Sequence, residues 1–166
     1  MPSLPIVVKI GGSTLGSHDT SLKDLVTLQR EGAEVVVVHG GGNVISQWMQ
    51  RQGIPPQFVR GVRVTDAASL EIVVAVLTGL INKELVSLMH RLGGKAIGLS
   101  GIDGDMLKCR IASPELGFVG EISEVNSGPI RTLLDAGYIP MVAPLGRHKD
   151  DDSENSGSPL NINGDT

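Results

Sequence analysis

The 166-residue sequence has very few aromatic side chains: one tryptophan, one tyrosine and two phenylalanines, which together make up 2% of the chain. Its core must therefore be built from valine, isoleucine, leucine and alanine. Aliphatic cores rich in β-branched residues are typical of parallel sheets covered by helices. The length fits a single domain, because a globule of this size buries roughly two-thirds of the surface that its unfolded chain exposes.

Cysteine and excess positive charge are also scarce. Cys109 is the only cysteine, which excludes an intrachain disulfide and a multi-cysteine metal site and fits a reducing compartment. The formal net charge is −4 at pH 7, and Lys and Arg do not cluster. Nucleic acid is excluded as the main partner, because phosphate neutralisation dominates such binding. We expect a small-molecule partner instead.

Features of a targeting or membrane segment are missing as well. The first twelve residues, MPSLPIVVKIGG, carry no basic n-region, and Lys9 interrupts their apolar run. Neither a signal peptide nor a membrane span is predicted there. We therefore expect a cytoplasmic protein without a membrane partner.

Two short apolar runs predict buried parallel strands, over residues 6–10 (IVVKI) and 34–38 (EVVVV), and each runs into glycines. The leucines between them predict a helix that ends at Gly32, which completes a βαβ unit. A second helix is predicted over residues 43–53, before two consecutive prolines. Further strands are predicted over residues 96–100 and 138–144, and a helix over residues 128–137.

The later part of the chain predicts a smaller, peripheral antiparallel patch. Residues 106–111 and 117–123 read as two of its strands, with the sequence SPEL as the turn between them. The stretch over residues 145–163 is polar at its centre and apolar at both ends, which predicts a hairpin or a protruding loop. We interpret the acidic run from Asp150 to Asp152 as a solvated tip and predict no metal site.

The longest predicted helix runs from Asp66 to about Leu92, with Thr65 or Asp66 as its N-cap. Apolar residues, Leu80 among them, keep helical spacing along it. Ile72 and Val76 widen the apolar stripe beyond what a half-buried surface helix requires. A homodimer through residues 66–81 is therefore expected; a helix simply enclosed in the core is the alternative.

Two strand-to-glycine junctions, VVKIGGS and VVVVHGGGN, are the main candidates for a binding site. Glycines beyond the carboxyl ends of parallel strands leave N–H groups facing the ligand crevice, and a helix N-terminus adds the positive end of its dipole. Such turns suit anions. Neither matches G-x-G-x-x-G, and the chain contains no G-x-x-x-x-G-K-[ST] motif. For His39, just before the second glycine run, we predict a hydrogen-bonded structural role.

Charged and amide side chains near these junctions are the other candidates. Lys9, inside an apolar strand, must either reach solvent or direct its ammonium at an anion. Arg63 is predicted in a mobile, exposed segment where a guanidinium could bind a carboxylate through two hydrogen bonds, and Arg60 competes for this role. In the final NINGDT, Asn161 and Asn163 alternate as if on one strand, and Asp165 follows.

These motifs occur together, in the same order and at similar spacing, in a known family. The segments VVKIGGS, VVVVHGGGN, GVRVTD, INKEL, GGKAIGLSGIDGDML, GFVGEI, IPMVAP and LNINGDT resemble those of N-acetylglutamate kinases, in the amino acid kinase family. The resemblance covers essentially the whole chain. It implies an α/β fold, a three-layer αβα sandwich with a mainly parallel sheet. It also implies phosphorylation of the side-chain carboxylate of N-acetyl-L-glutamate in arginine biosynthesis, with ATP as co-substrate and Mg²⁺.

Residue roles follow from the same resemblance. It implies that Lys9 neutralises the transferring phosphoryl group and that Asp165 orients the catalytic lysines. Arg63 would bind the substrate carboxylate, and Asn161 would hold the substrate. The glycines that would donate backbone N–H groups to the phosphoryl group and the substrate are Gly11, Gly12, Gly41 and Gly42. The family usually has Asn-Ala-Asp where this chain has Asn163, Gly164 and Asp165.

Family members continue after this acid with an ATP-binding lobe that carries a second catalytic lysine. We therefore expect residues 1–166 to form the amino-terminal, substrate-binding lobe and to be inactive alone. Two alternatives stay open. One is an aminoadipate kinase or a carrier-bound amino acid kinase of lysine biosynthesis, and the other is a non-catalytic binding or dimerisation module.

Overall fold

The computed structural model describes residues 4–11, 20–149 and 154–165. In chain order its elements are β1 (Ile6–Ile10), α1 (Thr20–Arg30), β2 (Val35–His39), α2 (Gly42–Arg51), β3 (Phe58–Val59), β4 (Val62–Arg63), α3 (Ala67–Val74), a π-helical segment (Ala75–Ile81), α4 (Asn82–Arg91), β5 (Ala96–Ser100), β6 (Leu107–Ile111), β7 (Gly120–Val125), α5 (Gly128–Asp135), β8 (Ile139–Ala143), β9 (Leu145–His148) and β10 (Pro159–Asn161). The predicted strands and helices are present, with small shifts at their ends.

The main sheet has the strand order β1-β2-β8-β5, and every neighbouring pair is parallel. Successive side chains of a strand point to opposite faces, so β2 contributes to two cores. Val35 and Val37 pack into the larger core with α1, α2, α3 and α4. Val36 packs into a second core that includes Leu134 of α5. Helices thus cover both faces, and the predicted three-layer αβα architecture is confirmed.

The second sheet has the order β10-β9-β6-β7. β6 and β7 are antiparallel, as predicted, and β9 and β10 form the predicted hairpin. Cys109 of β6 is fully buried beneath this sheet, and burial raises the pKa of its thiol to about 11. Asp150 to Asp152 lie outside the described residues.

The long helix begins where the sequence predicts, since the Asp66 side chain caps it by accepting a 2.8 Å hydrogen bond from the Ser69 N–H. Its middle differs from the prediction. The π-helical segment adds residues to the turn, so the inward face moves by about one position. Leu80, predicted on the buried stripe, is 42% exposed, whereas Asn82 is 1% exposed.

The apolar excess that suggested a partner surface is also explained by the fold. Ile72 and Val76 are 5% and 2% exposed and belong to the larger core. The premise that they form an outward surface is therefore wrong. Within residues 67–81 the exposed positions are mostly small: Ala67, Ala68, Glu71, Ala75, Gly79 and Leu80.

Residues Ala67–Arg91 form a stretch long and apolar enough, by length and composition, to cross a membrane. Within the fold, 44% of its most apolar window is buried, and its parts pack against α2, β5 and β8. Core helices of soluble proteins share these properties, so this helix is weak evidence for a membrane span.

Candidate active site

A cleft of about 250 Å³ opens at the carboxyl ends of β1 and β2. In parallel α/β sheets this is the edge where ligands bind. The cleft brings together residues that are far apart in the chain: Lys9, Gly40, Gly41, Gly42, Phe58, Gly61, Val62, Arg63, Val119, Pro144, Asn161, Asn163, Gly164 and Asp165. Most of the residues predicted from the sequence therefore share one site.

The glycine turn, residues 40–42, forms one wall of the cleft and starts α2. Gly41 is the N-cap residue of this helix, and the first N–H groups of a helix have no acceptor within it. A side chain at Gly41 would overlap Ile81 Cδ1 and lie 2.9 Å from Leu77 Cδ2. At Gly42 a Cβ atom would meet nothing within 4 Å. The turn can therefore present N–H groups and a helix dipole to an anion.

Lys9 and Asp165 form an ion pair at the mouth of the cleft, between the end of β1 and the turn after β10. Their side chains are 40% and 65% exposed. The Asp165 N–H lies 3.3 Å from Asn163 Oδ1, which fixes this turn locally. The lysine thus keeps an opposite charge beside it while remaining open to solvent and to a ligand.

Arg63 is buried, with 6% of its surface exposed, so the expectation of a mobile, exposed position is wrong. Its Nη2 donates to the Gly42 carbonyl and to Ser46 Oγ, both at 2.8 Å, and its Nη1 lies 3.2 Å from Met49 Sδ. Burial lowers the pKa of its guanidinium. Of its five N–H groups, the Nε–H and one Nη1–H have no acceptor among the described residues.

Arg60 lies at the tip of the hairpin formed by β3 and β4 and is exposed. It has a positive φ of 50°, and the following Gly61 has a φ of 81°. Two such residues form the tight turn that suits a two-residue hairpin. Arg60 thus has a turn-forming position outside the cleft, whereas Arg63 lines it.

Asn161 ends β10 on the far wall of the cleft. Its backbone N–H donates to the Phe118 carbonyl at 2.9 Å, and its Nδ2 donates to Thr65 Oγ1 at 3.2 Å. Asn163 does not continue the strand but lies in the turn that leads to Asp165. The prediction that both amides alternate on one strand is therefore wrong, although both residues line the cleft.

The first glycine junction is only partly described. Gly11 follows β1 and is half-buried, and it is not among the residues that line the cleft. Gly12 lies outside the described residues. The two junctions nevertheless meet, because the Gly40 N–H donates to the Ile10 carbonyl at 2.9 Å.

His39 is fully buried, and its ring contacts the Gly40 carbonyl and the Asn82 amide. The predicted structural role of this histidine is confirmed. Asn82 is a neighbour that sequence reasoning missed. The available signal was a polar residue in an otherwise apolar stretch, LTGLIN. In the parts of the chain that the structure describes, no group of three or more His, Cys, Asp or Glu side chains could hold a metal ion.

Comparison of the sequence with known protein families identifies the family. Residues 5–166 match the sequence profile of the Amino acid kinase family. The chain belongs to this family.

Individual relatives narrow the comparison. An acetylglutamate kinase from Dehalococcoides mccartyi is 42% identical over 160 residues, which are 96% of this chain and 59% of that relative. One from a Jannaschia species is 44% identical over 164 residues, 97% of this chain and 55% of the relative. The chain thus spans little more than half the length of these curated relatives.

Solved structures agree on the fold. The smu.665 protein of Streptococcus mutans UA159 has a TM-score of 0.88 and 29% identity, with 97% of this chain and 64% of that chain covered. The N-acetylglutamate synthase of Neisseria gonorrhoeae, solved with coenzyme A and N-acetyl-glutamate, has a TM-score of 0.73 and 25% identity, with 96% and 36% covered.

Proposed function

We propose that this chain provides the amino-acid-substrate lobe of an N-acetyl-L-glutamate kinase, and that ATP binds mainly to a second lobe. The observation that carries the proposal is that a buried guanidinium, a lysine and a helix N-terminus meet in one cleft. N-Acetylglutamate has two carboxylates, and the transferred phosphoryl group adds further negative charge. Lys9, Arg63 and the helix dipole would stabilise these negative charges.

The proposal gives the substrate one orientation in the cleft. Arg63 would bind its α-carboxylate, and the Asn161 amide would hold the acetylamino group. The side-chain carboxylate would then lie beside the glycine turn. Arg63 binds the Gly42 carbonyl at 2.8 Å, so the carboxylate-binding group and the turn are held at a fixed separation.

The reaction needs positioning and charge neutralisation more than proton transfer. A glutamate-type carboxylate is ionised at neutral pH, so no general base is required. One of its oxygens attacks the γ-phosphorus of ATP, the bond from that phosphorus to the β,γ-bridging oxygen breaks, and an acyl phosphate and ADP result. Lys9 would neutralise charge on the transferring phosphoryl group, with Gly11, Gly12, Gly41 and Gly42 donating N–H groups. Asp165 would orient Lys9.

Mg²⁺ would accompany the nucleotide. The described residues provide no cage of carboxylates for it, which fits an ion held by phosphate oxygens and water. A cytoplasmic location suits an enzyme that uses ATP and a small metabolite. We further propose a homodimer through residues 66–81, whose exposed face is mostly small residues around Leu80.

Calorimetric titration of the purified chain with N-acetylglutamate tests the substrate assignment. N-Acetylaspartate, with one methylene fewer, and α-aminoadipate, which is longer and unacetylated, are the matched comparisons. We expect N-acetylglutamate to bind most tightly. Preference for aminoadipate would favour the lysine-biosynthesis alternative, and no binding of any of the three would overturn the assignment of the cleft.

A further inference from the structure

The buried amide of Asn82 connects the long helix to two strands of the main sheet. Its Nδ2 donates to the Met141 carbonyl of β8 at 2.8 Å and lies 3.0 Å from Nε2 of His39 in β2. Its Oδ1 accepts a 3.0 Å hydrogen bond from Lys83 Nζ. Gly98 of β5 leaves room for this amide, because a Cβ atom there would overlap Asn82 Oδ1.

The contacts of His39 define its protonation state. The ring accepts from Asn82 through Nε2, so Nδ1 carries the hydrogen and donates to the Gly40 carbonyl at 3.2 Å. Burial lowers the pKa of His39 and keeps the ring neutral. Asn82 therefore fixes the ring, and the ring holds the first peptide of the glycine turn.

The same helix holds the second residue of the turn by packing. Leu77 and Ile81 of the π-helical segment contact the bare Cα of Gly41, where any side chain would collide with them. Continuous α-helical geometry would not turn both Ile81 and Asn82 inward after Val76 and Leu77. The π-helical segment thus allows an apolar contact with Gly41 and, through Asn82 and His39, a polar contact with Gly40.

We propose that Asn82, acting through His39, is a positioning residue that fixes the N–H groups of the glycine turn for the anion bound in the cleft. This inference rests on the proposed function for the identity of that anion, but not for the geometry of the turn. The contact of Asn82 with a ring that itself bonds the turn is what assigns the positioning role.

A pair of histidine variants tests the connection. In His39→Gln the side-chain amide oxygen can replace Nε2 as the acceptor for Asn82, whereas His39→Leu removes it. We expect His39→Leu and Asn82→Ala to shift the ¹⁵N–¹H signals of Gly40, Gly41 and Gly42 and to weaken N-acetylglutamate binding about tenfold or more, as for a lost buried hydrogen bond. His39→Gln should stay within about threefold of the wild type.

Leu85→Ala is the control for general destabilisation, since Leu85 is buried one turn further along the helix and belongs to the larger core. It should lower the free energy of unfolding without shifting the three glycine signals. Equal shifts from Leu85→Ala, or unchanged signals in Asn82→Ala, would overturn the positioning role. If the wild-type chain binds no N-acetylglutamate but the glycine signals respond as expected, the function proposal fails and the positioning role stands.

Discussion

At the scale of single residues, the buried neutral His39 makes stability depend on pH. Its pKa is lowered in the folded chain, mainly by burial, while in the unfolded chain it lies near about 6.5. Above about pH 6.5 the His39 ring is neutral in both the folded and the unfolded chain. Below it the unfolded chain takes up a proton that the folded chain does not, so the free energy of unfolding falls as pH falls, by up to about 1.4 kcal/mol per pH unit.

Chemical denaturation between pH 7.5 and 5.5, compared for the wild type and His39→Gln, measures this contribution. The other histidines and the carboxylates are common to both proteins, so the difference between the two curves isolates His39. We expect the wild type to lose stability more steeply on acidification. Parallel curves would show that His39 is not responsible.

The positions of Arg63 and Arg60 predict different roles in substrate binding. Arg63 lines the cleft and is bonded to Gly42, whereas Arg60 is exposed at a hairpin tip. In a protein that includes the nucleotide lobe, Arg63→Ala should reduce transition-state stabilisation by about 2–4 kcal/mol, measured as kcat/KM, because a paired charge is lost. Arg60→Ala should change it little. An equal or larger loss from Arg60→Ala would reverse the assignment.

At the scale of elements, two adjacent glycines at the N-terminus of α2 differ in the space around them: Gly41 has no room for a side chain, whereas Gly42 has. Gly42→Ala adds a methyl that meets no protein atom within 4 Å, so stability should be unchanged or slightly raised, while binding in the cleft weakens. Gly41→Ala forces Ile81 and Leu77 to move and should lower stability. Thermal melts together with N-acetylglutamate titrations check both; a loss of stability in Gly42→Ala with binding intact would contradict the described turn.

The proposed dimer is tested at an exposed residue of the long helix, because buried residues cannot distinguish a partner surface from the core. Val73 and Val76 are 0% and 2% exposed, so charged substitutions there would disrupt the core whether or not a dimer exists. Leu80→Glu changes an exposed residue instead. We expect wild-type dimers and Leu80→Glu monomers in sedimentation at micromolar concentration, with Val125→Glu on β7 as a control that stays dimeric. A monomeric wild type would contradict the dimer.

The sequence predicts the elements better than the contacts between them. β-Branched runs and glycine punctuation are local, and strands such as β1 and β5 are found where they are predicted. The inward turn of Asn82 is not local, because it depends on a glycine in β5 and a carbonyl in β8. The burial of Arg63 likewise depends on the hairpin folding onto α2. Helical spacing alone could predict neither.

At the scale of the whole molecule, the size of the cleft limits what this cleft can hold. About 250 Å³ suits an acylated amino acid, whereas sites for larger ligands usually occupy roughly 300–1,000 Å³. ATP and the amino acid together would exceed it. The glycine turn can contact a terminal phosphoryl group, but adenine and ribose would need contacts from another lobe.

We therefore predict that the 166-residue chain binds N-acetylglutamate weakly, binds nucleotide more weakly still, and shows no measurable turnover. The catalytic reason is electrostatic. In the proposed function Lys9 would be one positive charge at the transferring group, and the resemblance implies a second lysine from the nucleotide lobe. The loss of one such group costs several kcal/mol in enzymes generally. A coupled assay for ADP release, with calorimetric titration of each ligand, measures all three quantities. Lys9→Met serves as the background control. Steady ATP-dependent phosphorylation by the wild-type chain, absent in Lys9→Met, would refute the two-lobe interpretation and require a nucleotide site within these residues.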